Sequence, residues 1–324
     1  MTEEFQQRVD LSELRQAVEA IRSEVQKIIV GQQGMIDLLI AALLAEGHVL
    51  IEGVPGIAKT LTAKLIARTL STGFSRIQFT PDLMPIDVLG TSIFNVKTSE
   101  FEFREGPIFS NMILIDEINR APAKTQSALF EVMEERQVTT DGTTRVLGRP
   151  FMVIATQNPI DQEGTYQLPE AQLDRFLFKI RVDYPSLEEE KRILTEFDQR
   201  RDQVELDVVQ PVLAAAQVLA YQGLIKSVHV ETNLVAYIAQ IVHQTRNHPS
   251  LYLGASPRAS LAILAGSKAT AAMQGRDFVT PEDIRTTTYP ALRHRILPTP
   301  EKEMEGVGPE EIIKQIVEQI EVPR

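Results

Sequence analysis

The stretch HVLIEGVPGIAKTLTAKLIARTL, residues 48–70, decides the fold. HVLIEG is a short apolar run that reads as a buried strand. TLTAKLIARTL places Leu61, Leu65, Ile66 and Leu70 at helical spacing. Between them GVPGIAKT, residues 53–60, follows the phosphate-loop pattern G-x-x-x-x-G-K-[ST] except at Ala58, where the pattern has glycine. In such a loop successive backbone N–H groups and a helix N-terminus point at the β- and γ-phosphates of a nucleotide. Lys59 adds positive charge, and the Thr60 hydroxyl is suited to Mg²⁺. Gly53 and Gly56 supply unusual backbone angles. Ala58 is expected at negative φ, as residues joining a helix are, so that its methyl group costs little. The loop residues expected against the nucleotide are Gly53, Val54, Pro55, Gly56, Ile57, Ala58, Lys59, Thr60 and Leu61.

Outward from the loop, short apolar runs alternate with helical patterns from about Leu11 to Pro185, the signature of a parallel α/β sheet. Further strands are expected at 74–79, 112–117, 151–156 and 176–182, and a helix at 125–136. Asp141-Gly142 between β-rich flanks predicts a hairpin. After Pro185 the strand signals stop. Helices are expected near 187–200, 210–221, 231–247, 257–274 and 281–296, several opened by a cap or an early proline such as Pro281. Residues 298–305 read as a linker before a closing helix, PEEIIKQIVEQI. The expected organisation is an α/β nucleotide domain, 1–185, with an N-terminal helix, and a helical domain, 186–324.

A second component of the nucleotide site is a carboxylate at the end of a neighbouring strand. MILIDEINR, residues 112–120, supplies Asp116, placed to hold Mg²⁺ through water, and Glu117, placed to polarise an attacking water. Such a pair points to hydrolysis. Asn158 follows the apolar run FMVIAT and is placed to orient the water from the far side. Arg175 precedes the last strand; it can pair with Asp174 or Glu170, or reach across a subunit boundary as an arginine finger. Arg258, in the first turn of the helix opened by Ser256-Pro257, opposes the helix dipole, which makes sense if it faces a phosphate.

The composition excludes several classes. Of 324 residues 43% are hydrophobic and 24% charged, ordinary for a globular chain. A net charge of −11 disfavours non-specific binding to nucleic acid or anionic lipid. With no cysteine there are no disulfides, thiolate metal sites or cysteine nucleophile. The opening MTEEFQQRVD is not a secretory signal, and the longest early apolar run is broken by Asp37, Glu46 and His48. A cytoplasmic protein is expected. Five histidines show no zinc spacing, and Arg293-His294-Arg295 reads as a solvated helix end.

Taken together, IVGQ (29–32), GVPGIAKT, FTPDLMP (79–85), LIDEINRAPAKTQSALFEVMEERQVT (114–139), VIATQNPIDQEGTYQLPEAQLDRF (153–176) and SPRA (256–259) resemble the MoxR family of AAA+ ATPases from about Ile28 to Ile296. Ala-Lys-Thr at the loop's end is usual in that family. The resemblance implies a P-loop α/β core with a five-stranded parallel sheet in the order 5-1-4-3-2, followed by an all-α lid. It implies Walker A at Gly53–Thr60, Walker B at Ile113–Glu117, sensor 1 at Asn158, an arginine finger at Arg175 and sensor 2 at Arg258. Arg120 is a second candidate for action in trans. Gln32 is expected near the adenine, with Val30 and Gly31 giving backbone contacts, and the glutamate-switch residue is Gln78 or Thr80. Hairpins around 91–103 and 137–147 are of the kind that line a ring pore or touch substrate in related clades.

The function so implied is hydrolysis of ATP with Mg²⁺ in a homo-oligomeric ring, six subunits being the family expectation. The ring remodels, matures or activates a protein client, one carrying a von Willebrand factor A domain being common in the family. The alternatives are a nucleic-acid-stimulated motor, which the acidic balance disfavours, and an assembly scaffold with little hydrolysis, which the Asp116-Glu117 pair disfavours.

Overall fold

The computed structural model describes residues 9–54, 56–158, 166–199 and 206–323. Five strands, β1 (Val49–Gly53), β2 (Phe74–Gln78), β3 (Met112–Asp116), β4 (Met152–Gln157) and β5 (Phe178–Val182), form one parallel sheet. Their order is β5-β1-β4-β3-β2, the expected 5-1-4-3-2. All of β3 and the first five residues of β4 are buried, as in a sheet covered on both faces. Alternate residues feed two cores. Val49, Ile51, Met112, Leu114, Ile154 and Ile180 join the larger, under helices Ser12–Gln26, Gln33–Leu44 and Lys59–Arg68. Leu50, Ile113, Ile115, Val153 and Ala155 join the smaller, packed with Leu129, Phe130 and Met133 of helix Ala123–Glu135.

β1 lies between β5 and β4, so the chain leaving β1 turns at a point where the strand order reverses. Clefts open at such points, outside the carboxyl ends of the strands. Both nominated motifs sit there: the glycine-rich loop after β1 and Asp116-Glu117 at the end of β3.

Two antiparallel hairpins project from this core, Gly90–Asn95 with Glu100–Glu105, and Gln137–Thr140 with Thr143–Val146. The second turns through Asp141 and Gly142 at φ 52° and 72°, the left-handed pair that a two-residue turn requires. After β5 the structure is mainly helical. Helix Pro257–Met273 packs against Pro281–Leu292, Thr232–Asn247 and Gln33–Leu44. Gly266 permits this seating, because a Cβ there would lie 2.6 Å from the Phe178 ring of β5.

Four expectations change. The helix placed at 210–221 is Ala215–Lys226: residues 213–214 are extended and pair with Leu70–Ser71, and Val212 N–H donates to Thr69 O. Strands therefore do occur after Pro185. The expected linker at 298–305 is structured, with Leu297–Pro298 paired to Leu251–Leu253 and a short helix, Pro300–Met304, after it. Finally, the Arg293-His294-Arg295 cluster is not solvated: His294 and Arg295 are buried, and Arg293 is mostly so.

Candidate functional site

Residues Gly56–Leu61, Asp116, Glu117 and Asn158, nominated from the sequence, line one cleft of about 610 Å³. Gly53 closes the end of β1, where a Cβ would press on Ile57 Cδ1 at 2.5 Å and on Val182 O at 2.8 Å. Val54 packs against the larger core, and Pro55 lies outside the described residues. Lys59 opens the helix, its ammonium donating to Gly53 O and, at 3.3 Å, to Gln157 O. Burial pushes its pKa below the ordinary lysine value, against the opposing pull of Glu52, Asp116 and Glu117.

Ala58 does not have the expected negative φ. It sits at φ 58°, ψ 21° and is the N-cap of helix Lys59–Arg68. The loop turns through left-handed Gly56 and Ala58 before entering the helix, so the pattern's glycine has a backbone reason that Ala58 does not remove.

The Thr60 hydroxyl donates to Asp116 Oδ1 at 2.8 Å, joining the two halves of the site. Thr156 Oγ1 donates to the same oxygen at 3.2 Å and accepts from Glu117 N–H at 3.1 Å. Arg76 Nε holds the other oxygen, Oδ2, at 2.7 Å. Glu117 sits at φ 56°, a left-handed position uncommon for a non-glycine residue and typical of strained functional turns. Its Oε2 accepts from Gln78 Nε2 at 3.0 Å and pairs with Arg120 Nε at 3.1 Å. Thr80 instead donates to Asp82, so of the two switch candidates Gln78 is the one that touches Glu117.

Arg76, Thr156 and Gln157 were not singled out from the sequence, although all three line the cleft. The available signal was strand alternation: Arg76 and Gln78 are two apart on β2, so both project from the same side.

An apolar cavity of about 440 Å³ adjoins the cleft and shares Gly56, Ile57, Ala58 and Leu61 with it. Val30 and Gln32 line it on one side; Tyr184, Ile193, Leu194 and Phe197 line it on the other. Gln32, itself left-handed, donates from Nε2 to Ile57 O at 2.7 Å and so ties the IVGQ segment to the loop. Gly31, at φ 69°, is in the left-handed region that favours glycine, with the Glu189 carboxylate against it.

Arg175 and Arg258 do not line the phosphate-side cleft of their own chain. Both meet Glu134 near the end of helix Ala123–Glu135, with Arg175 Nη1 3.2 Å from Oε2 and Arg258 Nη2 2.7 Å from Oε1. Neither pairing open for Arg175 in the sequence, Asp174 or Glu170, is the one observed.

With a strand-loop-helix phosphate cradle, a hydroxyl-carboxylate pair and a second carboxylate, the site has the parts of a nucleotide-hydrolysing centre. The ATPase family associated with various cellular activities (AAA) matches residues 48–178, and the AAA lid domain matches residues 243–316. The protein YeaC of Bacillus subtilis is 46% identical, the match covering 92% of each chain. Chaperone MoxR1 of Mycobacterium tuberculosis is 44% identical over 93% of this chain and 81% of its own length. A crystal structure of a Cytophaga hutchinsonii protein, 41% identical, superposes with a TM-score of 0.89 over 97% of each chain. A sheet in the 5-1-4-3-2 order, a helical lid and kinship at this level across more than nine-tenths of the chain place it in one group: it belongs to the MoxR family of AAA+ ATPases.

Proposed function

We propose that this protein hydrolyses ATP with Mg²⁺ in a homo-oligomeric, six-membered ring, and uses the cycle to remodel, mature or activate a partner protein. The observation that carries the reading is the 2.8 Å contact between Thr60 Oγ1 and Asp116 Oδ1 with Glu117 beside it. That donor set fits Mg²⁺, which takes one or two protein oxygens and completes its shell with water and phosphate. Bound there, the cation neutralises charge on the β- and γ-phosphates. The chain's own groups supply the rest. Backbone N–H groups at the start of helix Lys59–Arg68 cradle the phosphates, and Lys59 adds its charge. Glu117, released from Gln78 and Arg120, takes a proton from the attacking water, and Asn158 orients that water from the opposite wall. The apolar cavity beside Val30, Gly31 and Gln32 suits the adenine.

Arg175 and Arg258 supply positive charge to a neighbour's nucleotide. Their shared position on Glu134, outside their own phosphate-side cleft, supports action across a subunit boundary. A ring gives every site such a neighbour. The chaperone named among the relatives supports a protein client, and a von Willebrand factor A-domain protein is the client proposed.

The test is steady-state phosphate release by the purified protein. Magnesium-dependent turnover that is lost in Glu117→Gln, with nucleotide still bound, supports the reading. Equal release with and without the cation, or turnover seen only with DNA or RNA at two salt concentrations, contradicts it.

A further inference from the structure

The contacts around Arg175 and Arg258 involve more than one carboxylate. Glu134 stands in the last turn of its helix, where the dipole disfavours a negative charge. What it gains there is two guanidinium groups, one on each oxygen. Arg175 is further fixed by donating to Phe130 O at 3.0 Å, one turn back on the same helix.

Behind this pair lies a second junction. Asp174, the residue before Arg175, accepts from Ser256 Oγ at 2.9 Å, and Ser256 caps the helix whose first turn carries Arg258. The other Asp174 oxygen takes Arg295 Nε at 2.7 Å. Arg295 is buried, its side chain 3% exposed, and it also donates to the carbonyls of Asp174, Phe176, Leu177 and Ala291. The strand approach that carries Arg175 and the lid helix that carries Arg258 are thus joined twice, at Asp174 and at Glu134. The basic cluster near the end of the lid supplies the buried anchor.

We propose that Glu134 is a positioning residue. With Asp174 and Arg295 behind it, it holds Arg175 and Arg258 as one two-guanidinium unit aimed at a single phosphoryl group presented by a neighbouring subunit. The proposal rests on the reading that Arg175 acts in trans. Two cations on one carboxylate leave the group with a net positive charge, and an arginine fork matches phosphate oxygens geometrically. Held by Glu134, the forks need no ordering when the phosphate arrives. Because Glu134 lines neither the phosphate-side cleft nor the adjoining apolar cavity of its own chain, its loss is expected to affect turnover and spare binding.

The experiment compares Glu134→Ala, Arg175→Ala and the double variant in the full chain, reading kcat, KM, affinity for a fluorescent ADP and the thermal midpoint. Glu134→Ala is expected to lower kcat roughly tenfold or more, with KM, ADP affinity and midpoint unchanged. The double variant is expected to lose less than the product of the two single losses, since residues acting as a unit are not additive. Wild-type or raised kcat in Glu134→Ala, with turnover lost in Arg175→Ala, overturns the positioning role alone. So does a double variant whose losses multiply. Wild-type turnover in Arg175→Ala overturns the trans reading, and this proposal with it.

Discussion

Gln78 Nε2 donates to Glu117 Oε2 at 3.0 Å across the edge of the sheet, where Gln78 pairs in register with Asp116. The carboxylate proposed to activate water is therefore held at its tip by a neighbouring strand. The chain running from that strand leads into the hairpin Gly90–Asn95 and Glu100–Glu105, whose Val96 and Phe101 are exposed. Gln78 thereby stands between a protruding element and that carboxylate.

Removing that hold leaves Glu117 with the Arg120 pair alone. Gln78→Ala is expected to raise basal hydrolysis by about two- to tenfold, the equivalent of a hydrogen bond worth roughly 0.5–1.5 kcal/mol. Nucleotide affinity is expected to stay the same. A drop in basal rate, measured by phosphate release, contradicts the restraining role.

Ala58 stands at φ 58°, where an L-residue with a Cβ is strained. Ala58→Gly relieves that strain and adds chain entropy to the unfolded state, for a net gain of about 0.5–1 kcal/mol. The expected result is a thermal midpoint raised by a few degrees at most, about 2–4 °C per kcal/mol for a domain of this size. ATP affinity changes little. A fall in the midpoint would falsify the left-handed assignment.

Acid sensitivity has two windows. His48 is buried, its Nδ1 accepting from Val153 N–H at 3.0 Å and its Nε2 donating to Met133 O at 3.1 Å. Burial lowers its pKa from 6.5 to about 4, the Met133 bond opposing and the Arg136 charge adding to the shift. Between those values the unfolded chain binds a proton that the folded chain does not. Stability is full above the unfolded value and falls as pH drops through this window, by up to about 1.4 kcal/mol per unit.

Glu46 acts lower. Burial alone would raise its pKa, but Lys226 and Arg136 hydrogen bonds, with the charges of Arg149 and Lys226, hold it at about 2. Its contribution is present above 4.5 and is lost as pH falls from there towards 2. Denaturant midpoints taken at stepped pH should decline in both windows. Glu46→Gln should weaken the protein near neutrality and flatten only the lower window, and a flat profile between pH 6.5 and 4 contradicts the histidine assignment.

Much of this was legible in the residues because it is local. The strand-loop-helix run at 48–70, the apolar strands and the Asp141-Gly142 turn carry their geometry in short windows, and the sheet order came with the family resemblance. What failed to show depends on distant partners. The extended start at 213–214 is set by pairing with Leu70–Ser71, and the segment 297–304 by pairing with Leu251–Leu253. Arg295 reads as a surface cation until Asp174 and four carbonyls close around it. Ala58 reads as helical because its place in sequence is next to a helix, whereas its left-handed φ belongs to the loop. Glu134 had no motif at all; only the folded chain brings Arg175 and Arg258 to it.

A mixing assay separates hydrolysis completed across a subunit boundary from hydrolysis completed within one chain. Glu117→Gln subunits keep Arg175 but lack the carboxylate proposed to activate water; Arg175→Ala subunits keep the carboxylate but lack the arginine. Each alone is expected to bind nucleotide and to be inactive. Mixed one to one in a ring, about a quarter of the sites pair an intact carboxylate with a neighbour's intact arginine, so activity should recover to roughly that fraction of wild type. A mixture as inactive as its components, with mixed assembly verified by mass, contradicts action of Arg175 in trans.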